Sequence, residues 1–540
     1  MKNLVMKSLA FITMWMTAIS VCAEKKETVI GYLKYEIDTE TKEATVIEND
    51  EYHGIYYPDE ITIPESLTFD NEEYAVTCLG AGCFYSYYPN LHLCRITIPP
   101  SVTKLGAECF KECEALADIT IPPSVTSIGR GCFDGCASLE DITIPPSVTS
   151  WEDDCFANCF SLRSIDIPSS VTSLGKGCFS GCSIKSIVIP SSVTKLEAVC
   201  FMDCEDLADI TIPPSVTSIG WGCFAGCKSL ADIAIPPSVT SWEDDCFNQC
   251  NSLGSIDIPS TVTSLGRHCF ANCVSLQSIN IPSSVTSLGE DCFHDCHSLH
   301  SMTVDEGNRV YDSREDCNAI IETATNTMVA GCEQTVIPSS VTSLGDWCFA
   351  GHELYTIDIP SSVTSLGRGC FYQCPMKSMV IPSSVTSVGA YCFYQCPWLE
   401  SITIPSSVTS LGEYCLGLCQ SLKRMECHIS SPEGGSYFAP GDIIDNLYYE
   451  YPWTAQTPIQ QATLLVPYNS LNLYGKISPW IWFGTITDIE GISGINAPTI
   501  SGDNEVADTY GIDGSRKSAT TTGLNIIRTQ DGKAKKVFVK

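Results

Sequence analysis

The sequence predicts an α/β solenoid: a stack of coils with a parallel β-sheet along one face, short helical turns on the other, and β-rich caps. Three observations predict it. The phrase Ile-Pro-x-Ser-Val-Thr returns about every 23 residues, an alternating apolar–polar–apolar triplet leads into the copies, and Cys-Phe-x-x-Cys follows most of them. Copies begin at Ile98, Ile121, Ile144, Ile167, Ile189, Ile212, Ile235, Ile258, Ile281, Ile337, Ile359, Ile381 and Ile404, with a divergent one, ITIPESLTF, at Ile61. Self-similarity at such a period marks a repeat architecture in which each unit contacts mainly its neighbours.

The chain opens MKNLVMKSLAFITMWMTAISVCAE, where Lys2 and Lys7 precede an apolar run from Leu9 to Val21 and small residues close it. Residues 1–23 read as a secretory signal peptide, too short for a stable membrane span. Cys22 raises lipid attachment, which Val21 disfavours. No later stretch is apolar for the ~18 residues of a transmembrane helix, so an exported protein is expected, secreted or held at the cell surface or outer membrane.

Each repeat can be read residue by residue. Ile119-Thr120-Ile121 alternates as a strand with one buried face, and Pro122 ends it because proline cannot donate to the ladder. Val125 and Ile128 point inward along a second extended piece. Gly129 permits a bend, and GRGCFDGC is long enough for one short helical turn. A single unit cannot bury its own apolar edge; stacked units make a continuous core of Leu, Ile, Val, Phe and Cys. WEDDCF at Trp151 recurs at Trp242 in matching surroundings, so a four-unit block is duplicated.

Charge excludes some partners. With 30 Lys and Arg against 63 Asp and Glu, the net charge of −33 argues against nucleic acid, because phosphate contacts need clustered cations. It disfavours anionic membranes for the same reason.

The L-x-x-I-x-I spacing resembles the leucine-rich repeat. The 23-residue form with IP, SVT, IG, a small residue before Phe and a following Cys resembles its BspA-like, or Treponema-type, subgroup. The resemblance implies a right-handed curved solenoid on bacterial cell surfaces, associated with adhesion to host proteins or other cells. It places a β-hairpin cap over 24–58, where GYLKYEIDTETKEATVIEND has two strand-like halves. The repeat solenoid follows over 59–425, with a β-hairpin insert at about 302–335, and a capping unit over 426–490. A Gly/Ser/Pro linker, GISGINAPTISGD, occupies 491–503. Residues 504–540 read as three short strands with turns at Asp513-Gly514 and Asp531-Gly532. They resemble Bacteroidetes C-terminal sorting tails, although Ser515 interrupts the usual Gly-Arg pair; a stable end hairpin is the alternative. The chain departs from the subgroup at the small residue before Phe, usually Ala there and almost always Cys here.

The 32 cysteines include Cys22 of the leader. Two cysteines four apart on a helical turn have Cβ atoms ~5–6 Å apart, beyond the about 3.5–4.5 Å of a disulfide. Cys83 and Cys348 lack the partner, their slots holding Tyr87 and His352. Buried thiols packing as small hydrophobes are therefore expected, with some disulfides as the alternative. A ladder of cysteines converges on no tetrahedral metal site, and no dedicated metal site is expected. CFHDCHSLH gathers His294, His297 and His300 in variable slots, where solvent-facing side chains are expected. Ser101-Val102-Thr103-Lys104 and Ser173-Leu174-Gly175-Lys176 match S-x-x-K only as fragments of the repeat, without S-D-N or K-T-G partners. With no G-x-S-x-G, phosphate loop or H-E-x-x-H, neither an enzyme nor a cofactor is expected.

The remaining lead is the outer face of the sheet. Register puts Asp118, Thr120, Asp141, Thr143, Asp166, Asp209, Thr211, Asp232, Asp257 and Asp358 there, a stripe suited to a basic or hydroxyl-rich protein or glycan, or simply a solvated sheet. The expected function is a non-catalytic surface protein binding host or microbial macromolecules through this face. The alternative is a glycan-capture protein of an exported nutrient system using LYYEYPW (447–453), Trp480, Trp482 and Phe483, aromatics that could equally plug the end of the solenoid.

Overall fold

The computed structural model describes residues 25–49, 57–85, 93–430 and 458–489 apart from 477–479 and 481–482, and the backbone of 494–496, 506–510, 516–517, 523–529 and 534–539. The leader with Cys22, the aromatic run 447–453 and Trp482 lie outside the described residues. The chain is a parallel β-solenoid of about 16 turns with very little helix, and it divides into two compact units, 1–238 and 239–540.

Both extended pieces of the repeat form strand columns. In the first unit Glu60–Thr62, Arg95–Thr97 and Asp118–Thr120 pair in parallel, with Ile61, Ile96 and Ile119 in register. Ser186–Val188 pairs with Asp209–Thr211 in the same way. A second column joins Glu72–Leu79, Lys104–Leu105, Ser127–Ile128 and Ser150–Trp151. In the second unit the first column runs through Ser378–Val380, Ser401–Ile404, Arg424–Cys427, Thr463–Val466 and Thr485–Asp488. There the second column runs through Ser343–Leu344, Ser365–Leu366, Ser387–Val388 and Ser410–Leu411.

At the amino-terminal end Lys25–Ile30, Leu33–Asp38 and Glu43–Ile47 form an antiparallel set, the last strand continuing in parallel to Glu72–Leu79. The interruption is a hairpin of Ala319–Glu322 and Thr327–Gly331, whose second strand pairs in parallel with Ser343–Leu344. The carboxy-terminal tail has four strands where three are read from the sequence: Val506–Tyr510, Arg516–Lys517, Gly523–Thr529 and Ala534–Val539. Its two Asp-Gly turns lie outside the described residues.

The expected helical turns are absent from the described repeats. The four residues Leu471–Tyr474, outside the repeated phrase, are the one α-helix among the described residues. The Cys-Phe-x-x-Cys segment is instead a chain of tight turns, because the residue before each cysteine is left-handed. Glu108 and Glu112 have φ of 57°, and Gly131 and Gly135 have φ of 57° and 78°. Left-handed residues four apart cannot propagate a right-handed helix. The freed N–H groups pair with the next coil: Glu108, Phe110 and Glu112 donate to the carbonyls of Arg130, Cys132 and Asp134. Such coils thus have a third inter-coil ladder where a helix would have bonded only to itself.

Recurring letters of the repeat have identifiable duties. In many coils the Ser of Ser-Val-Thr donates its hydroxyl to the Val carbonyl of the preceding coil, as Ser124 to Val102 at 2.6 Å and Ser147 to Val125 at 2.6 Å, whereas the Ser340, Ser362 and Ser384 hydroxyls make no such bond. At Gly129 a Cβ would lie 2.6 Å from the Ala107 nitrogen, so only glycine lets the coils approach there. The core is a column of Phe rings: Phe84, Phe110, Phe133 and Phe156 stack with centroids 5.3–5.4 Å apart. The duplication is visible in its geometry. Trp151 meets Phe156 and Phe179 edge-on at 5.3 and 5.7 Å, and Trp242 meets Phe247 and Phe270 edge-on at 5.2 and 5.8 Å.

Candidate functional site

The cysteines line the inside of this frame. Cys78 is half-buried and Cys94 exposed; the other described cysteines are buried, and none is in a disulfide. The helical premise behind the disulfide argument does not hold, but the thiols of one coil have separate partners. First cysteines can meet across coils, as Cys83 and Cys109 do at 3.3 Å. Second cysteines donate S–H to the Phe carbonyl one coil back: Cys113 to Phe84 at 3.1 Å, Cys136 to Phe110 at 3.2 Å, Cys159 to Phe133 at 3.2 Å. Burial pushes the Cys113, Cys204 and Cys223 thiols well up, Cys204 to about 12. Thiols so held carry almost no thiolate, the form that attacks electrophiles and binds metals. The second cysteine, the one the subgroup shares, thus supplies a weak hydrogen bond to the neighbouring coil, while the cysteine that stands where the subgroup has alanine packs as a small buried hydrophobe.

The strand face is exposed as its register requires. Asp118, Thr120, Asp141, Thr143, Asp166, Asp209, Thr211 and Asp232 in the first unit, and Asp257 and Asp358 in the second, all point to solvent. The flanking isoleucines Ile119, Ile142, Ile165, Ile210, Ile233 and Ile256 are buried. The stripe is not purely acidic. Arg95 bridges Asp118 at 2.8 Å and Glu60 at 3.3 Å. Val188, Val336 and Val380 occupy strand slots of the same kind and are about 70 % exposed (67, 71 and 69 %). An exposed pair, Tyr355 and Trp398, lies 6.2 Å apart in the second unit. Their alternation with buried Leu354 and Leu399 was the available signal for it.

The histidine cluster departs from its reading. His297 and His300 are exposed, but His294 is mostly buried between two carboxylates, 3.4 Å from Asp291 and 3.0 Å from Asp295. Burial alone would lower its pKa; Asp291 and Asp295 outweigh that and raise it to about 9. Asp291 also reaches His268, at 3.4 Å, and His268 reaches Asp245 at 3.6 Å, so acids and imidazoles alternate along three coils. Among the described residues no group of three or more His, Cys, Asp or Glu is arranged to hold a metal ion, and no helix is long and apolar enough to cross a membrane. At the carboxy-terminal end Tyr474, Trp480 and Phe483 are buried and packed on one another, so among the described residues these aromatics plug the core and are not open to a sugar.

The comparisons agree with this architecture. The family model described as a BspA type leucine rich repeat region matches residues 77–208, 196–314 and 326–437. No curated protein matches the chain. Similar solved structures include a leucine-rich repeat protein from Bacteroides ovatus, 24 % identical with a TM-score of 0.48, covering 74 % of this chain and 94 % of that one. A leucine rich cell surface protein from Faecalibacterium prausnitzii is 22 % identical, TM-score 0.35, with 86 % and 94 % covered. The leucine rich repeat protein of T. pallidum is 26 % identical, TM-score 0.33, with 38 % and 91 % covered. With the family model spanning well over half the sequence and the coils built as the repeat demands, the chain belongs to the BspA-type leucine-rich-repeat family.

Proposed function

We propose that this is a non-catalytic exported surface protein that binds host or microbial macromolecules through its solenoid, with the acidic strand face contacting a basic partner. The observation that carries the reading is the split within each coil: core slots barely vary, whereas the solvent slots beside the buried isoleucines vary and carry an aspartate at Asp118, Asp141, Asp166, Asp209, Asp232 and Asp257. Like charges about 4.8 Å apart on adjacent rungs repel, and a cationic partner relieves that repulsion as well as gaining contacts. Proteins of this family are typically cell-surface or secreted, which supports the exported setting.

Exposed ion pairs are individually worth ~0–1 kcal/mol, so the binding expected is additive, multivalent and salt-sensitive over a Debye length of about 10 Å. The test is biolayer interferometry against poly-L-lysine and an array of extracellular-matrix proteins. Replacing Asp118, Asp141, Asp166, Asp209 and Asp232 by Asn should leave the melting temperature nearly unchanged and weaken binding several-fold at low salt. Asp118 should contribute least, since Arg95 already neutralises it. Equal binding by the five-fold variant at low salt would reduce the stripe to a solvated sheet.

A further inference from the structure

The hairpin insertion has a side effect on the turn edge of the second unit. Removing it from the stack brings the coil of 345–352 against that of 289–296, where the Asp295 N–H donates to the Ala350 carbonyl at 3.3 Å. The hairpin strand also claims that coil, through Gly331 N–H to the Cys348 carbonyl at 2.8 Å. Between these two attachments the coils part around a cavity of about 230 Å3 lined by Asp291, Tyr311, Trp347 and His352. Asp291 and Trp347 also wall a recess of about 300 Å3, shared with His294, Arg368, Tyr372 and Tyr394. We propose that this break in the solenoid is a binding site for a neutral polyhydroxylated ligand, a pyranose sugar or short oligosaccharide.

Three features point to that chemistry. The first is an unusual residue in a core slot. His352 stands where other described coils place their second cysteine, is 2 % exposed, and has no partner for its Nδ1. Asp291 Oδ1 and His294 Nδ1, also buried, face one another at 3.4 Å without hydrogen-bond alignment. A carboxylate oxygen needs a donor and a protonated imidazole needs an acceptor. An ammonium only donates, and a carboxylate or phosphate only accepts. A hydroxyl does both.

The second feature is that the charged groups have partners within the fold. His294 answers Asp291 and Asp295, Arg267 answers Glu290 at 3.5 Å, and the Asp346 carboxylate accepts from the Arg368 backbone N–H at 2.7 Å. The Arg368 guanidinium itself lies over Trp347 and Tyr391, at 5.7 and 5.4 Å. The charged groups at the site are thus already engaged within the fold.

The third is the aromatic wall. Tyr372 and Tyr394 stack at 5.7 Å, and Trp347 meets Tyr372 edge-on at 5.4 Å. Gln395 accepts from the Tyr372 hydroxyl at 2.9 Å. Flat apolar faces rimmed by hydrogen-bonding groups match a ring with C–H faces and hydroxyl edges. The recess is at the lower end of small-molecule sites, roughly 300–1,000 Å3, which suits one or two sugar rings.

The site is separate from the strand face and is tested separately. Saturation-transfer NMR on the full chain would use glucose, galactose, mannose, cellobiose and lactose, with choline chloride and sodium phosphate as cationic and anionic controls. At least one sugar should show transfer, and the controls none. Tyr394→Ala should weaken that sugar at least tenfold. His352→Cys restores the residue that other coils carry, so it should fold normally and still weaken binding. The proposal is overturned if no sugar shows transfer, if only choline or phosphate does, or if both variants bind as the parent does.

Discussion

Two stretches of the turn edge share one backbone and display opposite chemistries. Between residues 108 and 226 the left-handed slots hold Glu108, Glu112, Gly131, Gly135, Asp154, Asn158, Gly177, Gly181, Val199, Asp203, Gly222 and Gly226. Between 291 and 414 they include Asp291, Trp347, Tyr391 and Tyr414, with φ between 53° and 58°. A left-handed conformation costs a non-glycine L-residue ~1–2 kcal/mol. The first stretch avoids that cost at half its slots, and the second accepts it under its largest side chains. The difference teaches that coil geometry is set by the inward residues and the ladders. What the turn edge displays is free to vary, and strain tolerated under a bulky ring deserves a functional explanation.

The largest expected effect tests whether the frame really is common to both stretches. Phe133→Ala in the first and Phe371→Ala in the second each remove a fully buried ring from a stacked column, at an expected roughly 3–5 kcal/mol. Chemical denaturation should give matching losses. Hydrogen exchange should place the damage in neighbouring coils, as expected of a one-dimensional stack. Losses differing by several kcal/mol would break the comparison.

A smaller effect should appear only in the second stretch. His294, raised to about 9 by its two aspartates against the pull of burial, contributes stability that is full below the unfolded value of about 6.5 and is lost as pH rises toward 9. His352, lowered to about 4 by burial and by His294 and His297, contributes in the opposite sense: full above about 6.5, lost as pH falls toward 4. Hydrogen exchange in 290–352 should therefore be slowest near pH 6.5, once corrected for intrinsic rates. His294→Asn should remove the alkaline decline and His352→Cys the acid one. A profile unchanged by both variants would detach these imidazoles from stability.

The smallest effect sharpens the account of strain. Val199 is β-branched and left-handed at φ 50°, in a slot where neighbouring coils have Gly177 and Gly222. Val199→Gly should stabilise by about 1 kcal/mol, the relief of a left-handed residue less the extra entropy of glycine. A thermal melt that fell instead would show that packing of the Val199 side chain outweighs its backbone cost.

The strand columns were legible because Ile119-Thr120-Ile121 and its copies obey a period of two and Pro122 stops them. The turns were not, because a helix and a run of tight turns put residues four apart to equal use. The distinguishing signal was present at the residue before each cysteine, where Gly, Asp and Asn recur as Gly131, Gly135, Asp154, Asn158 and Asn272, residue types that tolerate the left-handed region. His294 was misjudged because the rings that cover it beside Asp291 and Asp295, Trp347 and Tyr372, lie 53 and 78 positions away. Only the excision of the hairpin from the stack brings them together. The acidic stripe could be placed, since exposure follows from register, but Arg95 answering Asp118 across one coil is a pairing the repeat phrase does not encode.

The S–H bonds of the second cysteines bear on how such a chain would survive outside a reducing compartment, the setting proposed above. Each joins residues only 25 to 29 apart in sequence, so a coil can shelter its thiols once one neighbour has formed. Closing loops of this length takes well under a millisecond, whereas disulfide chemistry takes seconds or longer. Coils joined by contacts this short can win that race locally, coil by coil. The speed of assembly would then withdraw the thiols from oxidation.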